Sequence, residues 1–430
     1  MLTKAIAAMP NIYHKYSTLP LLGWAAFTAL CLNEEMFIIG VGSFKLSPYD
    51  LLFVGILLAK FIRLAEPAAY QLPGGRLGGI LAFAGFAVLY CLFMAGNQPG
   101  IETGDVFRDL RVVFYFLLMP LLCYKDINTP QALRMMQWYL VAAGVFVALY
   151  GLGEQALGFS VSNPVRNVRL GIWVLPFSIV SLLYFRPQLG IKTRTAYALI
   201  LLMLMTLAFS LNRSQYLQAI VAIGLAMLMG GRVNAMRRGI ALFGPALAVG
   251  LSAFWAIGYM DVLIQRIFSV GELEYDSSYG ARIQEYVGQM EFFREAPIVG
   301  KGAGFRSWVM GENGFELSTF AHNSWSFYLM KFGILGTTII MLPCVLMITF
   351  SLLRSYGNPT LELHRRYLLA CFPVYLFVDS LSGGLAYAPK TVFIGFLLAY
   401  CLALLNNART WPRAAPAQPA PAYTRIAHHA

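Results

Sequence analysis

Twelve apolar runs divided by short polar breaks make up most of the chain, near residues 18–33, 48–64, 77–95, 107–124, 132–151, 168–185, 194–211, 214–230, 237–259, 322–353, 364–382 and 388–406. Each approaches the roughly 17–25 residues a helix needs to cross a hydrocarbon core about 30 Å thick, so the pattern predicts about twelve membrane-spanning helices. The one large polar interruption runs from about Met260 to Ala321. The chain therefore divides into a nine-span bundle over 1–259, a loop over 260–321, the last spans over 322–406 and a tail over 407–430. Within the loop, Ile283, Tyr286, Val287, Met290 and Phe293 recur at i, i+3, i+4, i+7 and i+10, the spacing of an amphipathic helix. Such a helix can lie flat on a bilayer, with Arg282 at the edge of its apolar face and at headgroup height. The predicted fold class is all-α, a polytopic integral membrane protein whose one large loop carries short amphipathic helices.

Composition agrees with this pattern. Hydrophobic residues make up 58% of the 430 and charged residues 12%, against about 45–50% and 25% in soluble globular chains. With the N-terminus placed inside, the inner segments hold 19 of the 32 basic residues and only three acids, Glu66, Asp126 and Glu362. The positive-inside rule then orients the chain with both ends cytoplasmic and the 260–321 loop outside. The formal charge of +12 needs no nucleic acid to explain it. Met1 to Tyr16 is polar and leads into the first span without a small-residue cleavage site, so no cleavable signal peptide is expected. All six cysteines fall in predicted spans, which predicts neither a disulfide framework nor a CxxC metal site. The Pro- and Ala-rich tail from Pro412 reads as disordered.

Polar chemistry concentrates near the loop. Gly300-Lys301-Gly302-Ala303-Gly304 follows Pro297 and forms either a plain turn or a nest of amides for an anion. Ala321-His322-Asn323-Ser324-Trp325 opens the tenth span. Together with Gly280-Ala281-Arg282, Glu295-Ala296-Pro297-Ile298-Val299-Gly300-Lys301-Gly302, Phe332-Gly333-Ile334-Leu335-Gly336 and Ser210-Leu211-Asn212-Arg213-Ser214, it resembles the signature region of the O-antigen ligase and O-antigen polymerase superfamily. The resemblance covers roughly residues 210–336. It implies an inverting, metal-independent glycosyltransferase with no cofactor, acting on the periplasmic face of the bacterial inner membrane. The implied partners are an undecaprenyl-diphosphate-linked glycan donor, an acceptor that is lipid A core for a ligase or another carrier-linked repeat for a polymerase, and membrane lipids.

The residues can be read for that chemistry separately. A diphosphate is already a good leaving group, so cationic clamps matter more than a general acid, and arginine grips phosphate oxygens bidentately. Arg213 and Arg282 are the first candidates; the plain alternatives are a snorkelling interfacial residue and a solvated helix edge. His322 is the candidate general base, since the positive end of the tenth helix keeps an imidazole there available for an acceptor hydroxyl. Asn323 orients the ring, holds the sugar or caps the helix. Lys301 and Gly302, with the pairs Arg108 and Arg111 and Arg166 and Arg169, complete the substrate-binding candidates, although Asp105 and Asp109 could equally neutralise the first pair.

Three other readings compete. Glu34-Glu35 in the first outer loop, or the alternating Glu272, Glu274 and Asp276, could hold a metal, but no Asp-x-Asp occurs. A transporter or flippase would place charges along a pathway, whereas Asp379 and Lys331 are the main charges inside the spans. A scaffold of a polysaccharide-export complex is the non-catalytic option.

Overall fold

A computed structural model describes residues 17–32, 39–41, 44–63, 75–96, 101–158, 171–210, 212–229, 252, 255, 277–311, 314–381 and 384–411. The protein is mostly helical. Helices α1 (Leu19–Cys31), α2 (Pro48–Arg63), α3 (Gly75–Gly96), α4 (Thr103–Cys123), α5 (Pro130–Gly158), α6 (Leu175–Leu189), α7 (Thr193–Phe209) and α8 (Arg213–Met229) precede the loop. Helix α9 (Ser277–Glu295) lies in it, and α10 (Ser324–Leu352), α11 (Pro359–Ser380) and α12 (Ala388–Thr410) follow. Among the described residues five stretches are long and apolar enough to cross a membrane, Gly75–Met94, Pro130–Gly153, Ile172–Leu189, Ser324–Leu352 and Ala388–Thr410. The other predicted spans that can be compared are shorter or more polar helices, and the ninth, 237–259, falls outside the described residues save for 252 and 255. The tail beyond Trp411, Glu34, Glu35, Glu272, Glu274, Asp276, Arg166 and Arg169 also lie outside them.

The all-α expectation needs one amendment. Two antiparallel hairpins occur, β1 (Ile39–Val41) with β2 (Phe44–Leu46), and β3 (Ser307–Gly311) with β4 (Gly314–Ser318). In the second, Trp308 pairs with Leu317 and Val309 with Glu316. Its signal was present in the sequence as alternating residues on either side of a Gly-bounded turn.

Helix α12 is the central post. It is apolar all round, as a helix enclosed by others must be, and nearly every side chain from Val392 to Leu404 is buried. Helices α4, α1, α10 and α11 pack around it. Gly395 lets α4 come close, because a Cβ there would lie 2.3 Å from the Tyr115 carbonyl oxygen, the small-residue contact expected where lipid provides no hydrophobic drive. Lys331 and Asp379, buried inside predicted spans, are paired: Lys331 Nζ with Asp109 at 2.6 Å and Asp379 with Lys390 at 3.3 Å. All six cysteines are buried free thiols.

Helix α10 is two helices joined at a break. Gly333 has φ 62° and ψ −172°, which no helix contains. The lower piece, Ile334–Leu352, is about 28 Å long at 1.5 Å per residue, close to a hydrocarbon thickness on its own. A break within a helix leaves orphan amides and carbonyls that must find partners. Here the chain after α9 supplies them: Ile334 and Leu335 amides donate to the carbonyls of Pro297 and Ile298 at 2.8 and 3.1 Å, while the Met330 and Lys331 carbonyls accept from Lys301 and Gly302 amides, both at 2.8 Å. The break therefore welds the loop to the top of α10, which is where His322 lies.

Candidate functional site

His322 follows β4 through Thr319, Phe320 and the fully buried Ala321. Asn323 ends the approach as the N-cap of α10: its backbone is extended, and its side-chain oxygen accepts from the Trp325 and Ser326 amides at 2.9 and 3.3 Å. Of the three roles open to Asn323, the structure shows capping. This satisfies two of the orphan amides of a helix start and fixes the backbone one residue from the imidazole.

The ring is held from α9. His322 Nδ1 lies 2.7 Å from Glu285 Oε2, and the His322 backbone amide donates to Glu285 Oε1 at 2.8 Å. Glu285 is buried, 3% exposed, and also accepts from Gln289 Nε2 at 3.0 Å. The Gln289 oxygen in turn accepts a hydrogen bond from Ser326 Oγ, so α9 and α10 share one buried polar chain. The Phe320 ring meets the His322 ring edge-on at 5.0 Å and the Tyr387 ring at 6.3 Å. The imidazole remains 31% exposed, and among the described residues nothing bonds to Nε2.

The amphipathic helix is present, but its faces are arranged in a way the periodicity did not reveal. Ile283, Tyr286 and Val287 are 44%, 41% and 49% exposed, while Ala281, Glu285 and Gln289 are turned inward. Glu285 is thus the candidate-site residue that sequence reasoning missed. Its signal was the i, i+4 pair Glu285–Gln289 on the face opposite the apolar stripe.

Arg282 is exposed at the edge of that stripe. It lies one turn before Glu285, so the two share a helix side. Among the described residues it has no carboxylate partner. Arg213 begins α8, but its side chain lies outside the described residues. The same end of α8 carries Gln215, whose amide donates to Asp379 at 3.4 Å.

The remaining cations have protein partners. Arg111 pairs with Asp50 of α2 at 3.3 Å. Arg108, half exposed, lies 3.5 Å from Asp105 and donates to Thr319 Oγ1 at 3.0 Å. Asp109 serves Lys331 and the Gly304 amide rather than either arginine. Asp105 also accepts from Arg306 Nε at 2.6 Å, and that hydrogen bond raises the Arg306 guanidinium above its ordinary range. Lys301 pairs with Glu295. The glycine turn is a packing element: the amides of Gly300, Lys301, Gly302 and Gly304 all donate to protein acceptors and are not free for an anion. Its glycines are required by φ of 74°, 98° and 84° at Gly300, Gly302 and Gly304.

This arrangement can remove a proton from a group presented at Nε2. No curated protein matches the chain. Residues 198–341, running from α7 into α10 and including Arg213, α9, the glycine turn, His322 and the Gly333 break, match the family model described as O-antigen ligase, which places this region of the chain in the O-antigen ligase and polymerase superfamily.

Proposed function

We propose that the protein is an inverting glycosyltransferase of the O-antigen ligase type. It moves a glycan from undecaprenyl diphosphate to lipid A core on the periplasmic face of the inner membrane. The observation that carries this reading is the His322 imidazole within the family-matched region, tethered through Nδ1 with Nε2 open, on a helix pair that also presents Arg282. In the proposed step the acceptor hydroxyl oxygen attacks the anomeric carbon and its proton passes to His322 Nε2. The bond from that carbon to the diphosphate oxygen breaks on the opposite face, and the diphosphate leaves with the electron pair. Arg282, with Arg213 and Arg108 as further candidates, offsets the leaving charge, so no metal ion is invoked.

The test is transfer by the purified protein in lipid, given an undecaprenyl-diphosphate-linked glycan and lipid A core and followed by mass spectrometry. Transfer should persist in excess chelator and fall at least about 10²-fold in His322→Ala. Full activity in that variant, or no product from intact donor and acceptor with the unaltered protein, would overturn the reading.

A further inference from the structure

We propose that Glu285 is a positioning residue that acts through His322, fixing its tautomer and stabilising the imidazolium formed as the acceptor hydroxyl loses its proton. The inference rests on the function proposed above. Both oxygens of Glu285 face His322, one toward the backbone amide at 2.8 Å and one toward Nδ1 at 2.7 Å. An ionised carboxylate only accepts, so the proton of the neutral ring sits on Nδ1 and Nε2 keeps its lone pair for the substrate.

A purely architectural role does not account for the residue. A buried carboxylate is costly unless fully paired, and an apolar side chain of like volume is often as stable. At this position both carboxylate oxygens face one histidine, and Oε1 also accepts from Gln289. Ser326 Oγ donates to Gln289 Oε1, which turns the Gln289 amide nitrogen toward Glu285 Oε1 at 3.0 Å. Gln289 Nε2 also reaches Ser307 Oγ, but at 3.4 Å, so its shorter bond is the one to the carboxylate. When Nε2 accepts the hydroxyl proton, the positive charge spread over the ring lies 2.7 Å from Glu285 Oε2, where a low-dielectric setting makes the attraction large. The carboxylate of Ser–His–Asp triads plays this role, and its amide replacement costs about 10⁴-fold in turnover by leaving the imidazole in the wrong tautomer.

Glu285→Gln is the discriminating change because it alters no volume. The amide can offer only one oxygen to the two His322 donors, so its NH2 faces Nδ1 or the backbone amide. With NH2 toward the ring, the imidazole proton moves to Nε2 and the base is lost. In purified protein, kcat for glycan transfer should fall about 10²-fold or more, with the donor KM changed less than about threefold. The double variant with His322→Ala should be no slower than His322→Ala alone, since the carboxylate acts only through the ring. Nitrogen-15 spectra of histidine-labelled protein, with His322 assigned from its loss in His322→Ala, should show the Nδ1–H tautomer, shifting to Nε2–H in Glu285→Gln.

The spectra do not depend on turnover, so they decide the tautomer even if the proposed reaction is not the right one. An Nε2–H tautomer in the unaltered protein overturns the inference, as does Glu285→Gln activity within about threefold of normal or multiplicative losses in the double variant. If His322→Ala is crippled while Glu285→Gln is not, only this inference fails. If His322→Ala is itself fully active, the proposed function fails first.

Discussion

Gly300 and Gly333 meet backbone to backbone. A Cβ on Gly300 would lie 2.6 Å from the Gly333 nitrogen and 2.4 Å from the Lys331 carbonyl, while a Cβ on Gly333 would lie 2.2 Å from the Ile298 carbonyl oxygen. Two glycine-bearing stretches that look unrelated in sequence are the halves of one joint. The hydrogen bonds across it tie the strand of chain after α9 to the middle of α10. Because α9 carries Glu285 and the top of α10 begins beside His322, the joint sets the distance between the two.

Gly333→Ala should therefore damage both stability and activity. Its φ of 62° is strained for any residue with a Cβ, and the atoms in the way are backbone that cannot rotate aside. Strain and overpacking together predict a loss of about 2–6 kcal/mol, read as a large drop in thermal stability of the detergent-solubilised protein and loss of transfer. Gly288→Ala on α9 is the control: nothing lies within 4 Å of its Cβ, so replacing a helical glycine should raise stability by about 0.5–1 kcal/mol. Equal behaviour of the two variants would mean that the joint carries no weight.

Lys331 offers a second stability test. Its ammonium is fully buried, donates to Asp109 and the Thr319 carbonyl at 2.6 Å each, and lies 4.4 Å from the Phe327 ring centre. Lys331→Met leaves Asp109 a buried, uncompensated charge and should cost about 3–5 kcal/mol. Adding Asp109→Asn removes that charge while keeping an acceptor for the Gly304 amide, so the double variant should recover part of the loss. A double variant no better than Lys331→Met would show that the lysine's packing, not its charge, was what mattered.

The sequence made the helices legible and left their pairing obscure, for a physical reason. Apolar periodicity marked α9 through Ile283, Tyr286 and Val287, but beside a membrane an apolar stripe need not face protein, because lipid accepts it as well. The inward face is instead the polar one, which carries Glu285 and Gln289. Gly333 sits in an apolar run and reads as a tolerated helix glycine; only its contact with Ile298 makes it a break. The i,i+3 pair of Arg108 with Asp105 was legible locally, but the partners Asp50 of Arg111 and Thr319 of Arg108 were non-local, since they come from α2 and from the segment after β4. His322 and Asn323 could be found because a cap and a polar residue at a span entrance are local signals.

Topology can be checked without any activity. The segregation of basic residues predicts that single cysteines replacing Glu291 or Arg306 react with a membrane-impermeant thiol reagent from the periplasm, and that those replacing Arg134, Arg354 or Arg413 are shielded until the membrane is breached. Labelling of α9 from the cytoplasm would put His322 on the wrong side for a lipid-carried glycan.

Arg282 separates a phosphate clamp from a solvated helix edge. It is exposed and has no carboxylate partner among the described residues, so Arg282→Ala should change stability by no more than about 0.5 kcal/mol. If its guanidinium grips the diphosphate, the same variant loses charge-assisted hydrogen bonds of about 1.5–3 kcal/mol, which is about 10- to 10²-fold in kcat/KM for the carrier-linked donor. Arg282→Lys should recover little, since an ammonium is a point charge that cannot replace a planar fork on two oxygens. The chelator control belongs in the same assay: activity that needs added divalent metal, falls in Glu34→Ala or Glu35→Ala and survives Arg282→Ala would move the diphosphate site to the first outer loop. Normal kcat/KM in Arg282→Ala with chelator present would leave the clamp to Arg213 and Arg108, to be tried next in the same transfer assay.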